Sequence, residues 1–178
     1  MPFTLCTWNI NSVRLRETLV SRLLQEEGPD VLCLQECKSP VEKIPLEAFR
    51  ALGYDHMIAR GQKGYNGVAI LSKSPIEVER TALPGGEDDE QARYIEALIT
   101  PQGGDVIRVA SIYLPNGNPA RDEDGGDSEK YRYKLGWMER LVAHAETLLQ
   151  TEDAFVLGGD YNICPTDDDL HDPVGFKD

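Results

Sequence analysis

Residues 157–165, Leu-Gly-Gly-Asp-Tyr-Asn-Ile-Cys-Pro, gather more chemistry-bearing groups than any other stretch of the chain. Asp160 and Asn162 stand two apart, so in extended chain both side chains leave the same face. A carboxylate beside an amide suits an attacking water or a hydrated Mg²⁺, which takes one or two carboxylates and otherwise oxygen ligands. The alternative is a Gly-rich turn in which both residues bond only local backbone. Comparable groups close other apolar runs. Asn9 and Asn11 follow residues 3–8, Glu36 follows residues 31–34, and Tyr113 and Asn116 lie at the end of residues 106–114. Singly, each has a plainer reading: Glu36 as a solvated strand end, Tyr113 as a packed aromatic. As a set they are rich in oxygen ligands and lack a Cys/His cluster, which favours Mg²⁺ or Mn²⁺ over zinc. The chemistry that fits is metal-assisted hydrolysis of a phosphoester. No Gly-x-Ser-x-Gly elbow, Walker loop or dinucleotide fingerprint is present, which argues against those classes of enzyme.

These groups need strands to carry them, and the hydrophobic pattern supplies them. Residues 3–8 predict a strand, and Leu15, Leu19, Val20, Leu23 and Leu24 predict one face of a helix stopped by Gly28-Pro29. The nearly continuous apolar run 31–34 predicts a strand covered on both faces. A short helix at 45–52 leads into 54–59, and strands follow at 68–72, 77–81 and 94–100. Gly103-Gly104 forms a hairpin into the strand at 106–114. Ser128 is positioned to cap a helix reaching about Gln150, with Leu135, Met138, Leu141, Val142, Ala145, Leu148 and Leu149 on its apolar side and His144 partly exposed. The run 154–157 predicts a buried strand that delivers Asp160. In α/β sheets ligands collect outside the carboxyl ends of strands, which is where these groups fall. Between the strands, the mildly basic loop 61–67 with Lys63 reads either as a turn or as a phosphate contact. Arg93 reads either as a phosphate ligand or as a surface ion-pair partner. The acidic loop before Arg93 is predicted to be mobile, and the tail 166–178 to carry no element of its own.

The chain of 178 residues is long enough for one domain with a substantial core. Its opening residues lack the basic and long apolar regions of a signal peptide, and no apolar run approaches a membrane span. A cytoplasmic location, no membrane partner and reduced thiols at Cys6, Cys33, Cys37 and Cys164 are therefore expected. The net charge of −13 argues against nonspecific binding of polyanions, whose affinity rests on Lys and Arg. It does not exclude a nuclease, because much of the excess sits in short runs at 87–90, 122–124 and 167–169 that read as solvated loops.

Six motifs in order carry a resemblance: Trp8-Asn9-Ile10-Asn11-Ser12, Leu34-Gln35-Glu36, the 61–69 segment Gly-Gln-Lys-Gly-Tyr-Asn-Gly-Val-Ala, Gln91-Ala92-Arg93, Tyr113-Leu114-Pro115-Asn116-Gly117 and Gly158-Gly159-Asp160-Tyr161-Asn162. The chain resembles the exonuclease III family of the endonuclease/exonuclease/phosphatase superfamily, and its DNA-repair branch more than its lipid-phosphatase or sphingomyelinase branches. The resemblance implies an α/β four-layer αββα sandwich. It implies Mg²⁺- or Mn²⁺-dependent 3′→5′ exonuclease action and incision at abasic sites, on duplex DNA with abasic sites or 3′ ends, by a monomer. Carried over by motif, Asn9 and Glu36 belong to the metal-binding group. Asp160 activates or orients the attacking water, Asn162 holds that water or the phosphate, and both belong to the metal-binding set as well. Tyr113 hydrogen-bonds the phosphate, while Arg93 and Asn116, with Lys63 beside them, contact DNA.

The family's pattern continues past this chain with a Ser-Asp-His motif, and His171-Asp172 has the reverse order. The resemblance therefore implies a single catalytic-type domain over 1–178 that lacks the family's C-terminal portion. An incomplete second sheet and little or no activity are expected of it, and no catalytic His is assigned. Two alternatives stand beside the nuclease reading: a non-catalytic fragment of such an enzyme, and a superfamily phosphatase acting on small or lipid phosphoesters.

Overall fold

A computed structural model describes residues 3–172 and residue 175; the first two residues and positions 173, 174 and 176–178 of the acidic tail lie outside the described residues. Among the described residues eight strands form two four-stranded sheets. The first sheet runs β1-β2-β4-β3, from β1 (Leu5–Asn9), β2 (Val31–Gln35), β4 (Val68–Ser72) and β3 (His56–Arg60). The second runs β5-β6-β7-β8, from β5 (Ile76–Arg80), β6 (Tyr94–Ile99), β7 (Ile107–Tyr113) and β8 (Ala154–Asp160). The helices α1 (Glu17–Glu26) and α2 (Leu46–Arg50) cover the first sheet, and α3 (Glu129–Leu149) covers the second. The outcome is the four-layer αββα sandwich. In the second sheet β8 pairs only with β7 among the described residues.

Strand periodicity sorts the side chains into layers. On β2, Leu32 and Leu34 point out to the helices, packing with Val20, Leu24 and Phe49. Val31 and Cys33 point in and meet Ile95, Ala97, Ile99 and Val109 of the second sheet. On β7, Ala110 and Ile112 face α3, where Trp137 and Leu141 cover them. The inward positions one step further along are Gln35 and Ser111. Gln35 Nε2 donates to Ser111 Oγ at 3.0 Å, and Ser111 donates to the Leu34 carbonyl at 3.1 Å. Gln35 also exchanges hydrogen bonds with Thr7, at 3.1 and 3.3 Å. This buried polar strut ties the two sheets together just beneath their carboxyl ends, and its members satisfy one another.

Several expectations change in the structure. The helix α1 begins at Glu17, so Leu15 precedes it and is 81% exposed, while Val20 and Leu24 carry the buried face. On α3 the cap is as expected, with Ser128 Oγ accepting from the Tyr131 amide at 3.1 Å. Its buried face is Trp137, Leu141, His144 and Leu148, whereas Leu135, Val142 and Leu149 are exposed. Leu141 and Leu148 are buried as expected, but two apolar stripes compete on this helix and periodicity alone does not choose between them. The presence of Glu96 inside the sheet decides between them: His144, expected to be partly exposed, is buried with Nε2 2.6 Å from a Glu96 carboxylate oxygen. The acidic loop before Arg93 is pinned through Asp89, which accepts from Tyr133 Oη at 2.6 Å and whose carbonyl accepts from Arg60 at 2.5 Å. The described part of the tail contains a 3₁₀ turn, Asp167–Asp169, closed by a capping box from Thr166. Among the described residues no helix is long and apolar enough to cross a membrane.

Candidate active site

The site follows from two parallel strand pairs stacked face to face. In the first sheet β1 runs parallel to β2, with Asn9 level with Gln35. In the second β7 runs parallel to β8, with Tyr113 level with Asp160. All four strands therefore end at one edge of the sandwich. Asn9, Tyr113 and Asp160 occupy inward positions of their strands, so their side chains enter the space between the sheets. Gly158 and Gly159 allow β8 to lie against its neighbours. A Cβ on Gly159 would sit 2.1 Å from the Ile112 carbonyl oxygen, and one on Gly158 would rest against Leu5 and Thr7 of the opposite sheet.

Asn9 is the hub. Its Nδ2 donates to Glu36 Oε1 at 2.9 Å and to Asp160 Oδ2 at 2.7 Å, while its Oδ1 accepts from the Asn11 amide at 3.1 Å. Tyr113 Oη donates to the same Glu36 oxygen at 2.9 Å. The other Glu36 oxygen meets Lys38 Nζ at 2.6 Å, and that ammonium also donates to Asn11 Oδ1 at 2.6 Å. Burial pushes the Glu36 carboxyl up, but the bonds from Asn9, Lys38 and Tyr113 and the Lys38 charge outweigh it and hold the group below its ordinary value. Burial and the neighbouring Glu36 carboxylate push the Tyr113 phenol up to about 12, so it is a proton donor at neutral pH. Asn11, Ser12, Glu36, Lys38, Asn66 and Asn162 all have positive φ, in the loops around this cluster. Such strained non-glycine conformations persist where the surrounding packing dictates them.

Asn162 reaches the site differently from the extended-chain expectation. The strand ends at Asp160 and Asn162 turns back at φ 48°. Its backbone amide donates to Asp160 Oδ1 at 2.9 Å, and its side-chain amide to the Leu114 carbonyl at 2.7 Å. The pair is thus kept together by local backbone bonding as well as by its place at the strand end.

Arg93 lies at the rim with neutral partners: Nε donates to Gln91 Oε1 at 2.8 Å and Nη1 to the Tyr113 carbonyl at 3.3 Å, and the guanidinium stacks 4.9 Å from the Tyr113 ring centre. Arg93 and the exposed Asn116 share the lining of a cavity of about 430 Å³ with Lys130 and Tyr133. Asn116 also lines a cavity of about 590 Å³ with Lys134, Asp160 and Asn162. Lys63 is exposed on the 61–67 loop, whose Asn66 bonds Gln62 at 2.9 Å and Gln91 at 3.4 Å. Gln35, Ser111, Lys38 and Lys134 are not among the expected site residues; Gln35, inside the Leu34-Gln35-Glu36 motif, and Lys38, two residues beyond Glu36, are the two with a signal in the sequence. Of the three histidines, His56 opens β3 at the far end of the sandwich, His144 is bound to Glu96, and His171 is exposed.

The donor set contains two carboxylates, amides and a phenol. Among the described residues no group of three or more His, Cys, Asp or Glu is placed to hold a metal. Two carboxylates converging on one amide nitrogen suit a hard cation that keeps much of its water.

Comparisons with known proteins agree with this architecture. The model of the Endonuclease/Exonuclease/phosphatase family matches residues 6–177. Exodeoxyribonuclease III of Haemophilus influenzae is 32% identical over 168 residues, covering 92% of this chain and 59% of that protein. The solved structure of a 3′ phosphatase, NExo, from Neisseria, bound to a product DNA hairpin, superposes with a TM-score of 0.85 at 36% identity, covering 99% of this chain and 64% of that one. An AP endonuclease from Archaeoglobus fulgidus gives 0.78 at 39% identity, covering 97% and 62%. The chain thus spans about three fifths of the length of these relatives. With the motifs, the two stacked sheets and the strand-end cluster in agreement, the chain belongs to the endonuclease/exonuclease/phosphatase family and resembles its exonuclease III members.

Proposed function

We propose that this chain carries the metal-side half of a nuclease site that hydrolyses DNA phosphodiesters by abasic-site incision and 3′→5′ removal of nucleotides. The observation that supports this most directly is the convergence of Glu36 and Asp160 on Asn9, with Tyr113 closing one side. Glu36, with Asn9, would hold a Mg²⁺ or Mn²⁺ ion, and Asp160 and Asn162 would border it. In the present orientation the Asn9 nitrogen faces the carboxylates, so ligation through its oxygen requires the amide to turn over. Such an ion supplies charge to offset that building on the non-bridging oxygens. Phosphoryl transfer is otherwise largely positioning and electrostatics.

The chain's own residues divide that work. Asp160 accepts the proton of an attacking water when the water lies within hydrogen-bond reach. Tyr113, protonated at neutral pH, donates to a phosphate oxygen once released from Glu36. Arg93 and Asn116 meet backbone phosphates at the shared rim cavity, with Lys63 on the neighbouring loop. The −13 net charge is compatible with this, because binding would be confined to one face.

Incision of an abasic-site duplex and shortening of a 3′ end, each with and without Mg²⁺, test the reading. Metal-dependent cleavage lost in Asp160→Asn is expected. Release of phosphate from inositol phosphates without any DNA cleavage would favour the small-molecule phosphatase instead.

A further inference from the structure

Lys134 stands at the meeting point of two loops. It lies near the start of α3, and its stem passes over Gly117, which has φ 81°. A Cβ on Gly117 would come within 2.6 Å of Lys134 Cδ, so the glycine makes room for the stem. From there Nζ donates to the carbonyl of Asn116 at 3.1 Å and to the carbonyl of Asn162 at 2.7 Å. The first carbonyl belongs to the loop leaving β7 and the second to the loop leaving β8. Two further bonds join the same loops: Leu114 N–H to the Asp160 carbonyl at 2.9 Å, and Asn162 Nδ2 to the Leu114 carbonyl at 2.7 Å. Among the described residues Lys134 is the only cationic one lining the cavity of about 590 Å³ that it shares with Asn116, Asp160 and Asn162.

We propose that Lys134 is a positioning residue that clamps the β7 and β8 exit loops, holding Asn116 and Asn162 in fixed relation around one phosphate. The phosphate rests on the nuclease reading above; the clamp does not. An ammonium suits the task because it offers three donors from one point and carbonyl oxygens are its natural acceptors. Two of those donors are engaged, so its charge reaches the cavity from a fixed position.

Hydrogen exchange by NMR on the DNA-free chain tests the clamp. Lys134→Met keeps a stem over Gly117 but removes the donors. The amides of Leu114 and Asn162 should then exchange roughly tenfold faster, while the amides of the β6–β7 ladder and the thermal midpoint stay unchanged. The side-chain amide resonance of Asn162 should move toward that of a free amide. Lys134→Arg, which retains several donors, should restore protection of both amides. Unchanged exchange at Leu114 and Asn162 in Lys134→Met, or exchange raised throughout the ladder, would overturn the proposal, as would a Lys134→Arg variant no better than Lys134→Met. Binding to an abasic duplex supplies a second readout. Lys134→Met should weaken it about tenfold with the salt slope unchanged, whereas a slope lowered by about one would make Lys134 a phosphate contact rather than a clamp. Failure of the wild-type chain to bind or cleave DNA would sink the nuclease reading and leave the exchange result to decide the clamp.

Discussion

Asn9 donates its side-chain amide to Asp160 across the two sheets at 2.7 Å, joining residues 151 positions apart. The same nitrogen serves Glu36, so one neutral group bridges two carboxylates that would otherwise repel. Replacing the bridge by a third carboxylate converts this arrangement into a site dependent on a cation. Asn9→Asp should lower the thermal midpoint in chelator by about 4–8 °C, on the order of 2 kcal/mol for a chain of this size. Added Mg²⁺ should restore most of it, by more than it stabilises the wild type. A melting curve insensitive to Mg²⁺ in the variant would show that the cluster does not hold the ion.

Glu36 receives three hydrogen-bonding partners and is the most fully engaged carboxylate of the cluster. Glu36→Gln keeps its shape and the acceptor for Asn9 and Tyr113 but removes the formal charge. Mg²⁺ affinity measured by titration calorimetry should fall at least about tenfold, the equivalent of roughly 1.4 kcal/mol, with the fold intact by circular dichroism. Equal affinity in the two proteins would place the ion elsewhere.

Arg93 is held against the Tyr113 ring and carbonyl, with no carboxylate among its hydrogen-bond partners in the described residues. Its charge is therefore available to an anion, which on the proposed nuclease reading is a DNA phosphate. For Arg93→Ala, the slope of log affinity against log salt should flatten by about one phosphate contact, and binding should weaken for all sequences alike. An unchanged slope with unchanged affinity would remove Arg93 from the DNA face.

Glu96 is wholly buried on the α3 side of β6, facing away from the strand-end cluster, where it meets Tyr94 Oη, His144 Nε2 and Arg108 Nη1, the last two at 2.6 Å. Burial pushes its carboxyl up, but the bonds from Tyr94, His144 and Arg108 prevail and hold it below the ordinary value. A carboxyl depressed in the folded state contributes stability above its unfolded value, near pH 4.5, and loses it as pH falls through the folded value. Glu96→Gln should accordingly lower stability at pH 7 by about 1.5–3 kcal/mol, because Arg108 keeps Glu79 at 3.1 Å but loses its charge-assisted bond to Glu96. Urea melts at pH 7 and pH 4 should show the gap between variant and wild type closing in acid. A gap that stays constant or widens would contradict the assignment.

The sequence alone determined the strand-end placement of the reactive groups. Val68–Ser72 and the Ser128 cap are as read, and the strand-end groups Asn9, Glu36, Tyr113 and Asp160 do lie at the carboxyl ends of their strands. These features are local: a period of two, a capping hydroxyl and a breaking glycine act within a few residues. The family pattern was legible for the same reason, since each motif is a short segment with its own turn chemistry. What the chain does beyond these segments depends on which sheet faces which. Periodicity says that Gln35 and Ser111 point the same way as the buried apolar residues, but not that they meet. It assigns His144 to a helix, but not to the buried face, because the deciding partner, Glu96, is 48 positions away. Lys134 acquires its role only once the loops after β7 and β8 lie side by side. The tertiary structure decided those contacts through sheet stacking, which brings distant backbone and buried polar groups together and leaves each to be satisfied by whatever the opposite layer presents.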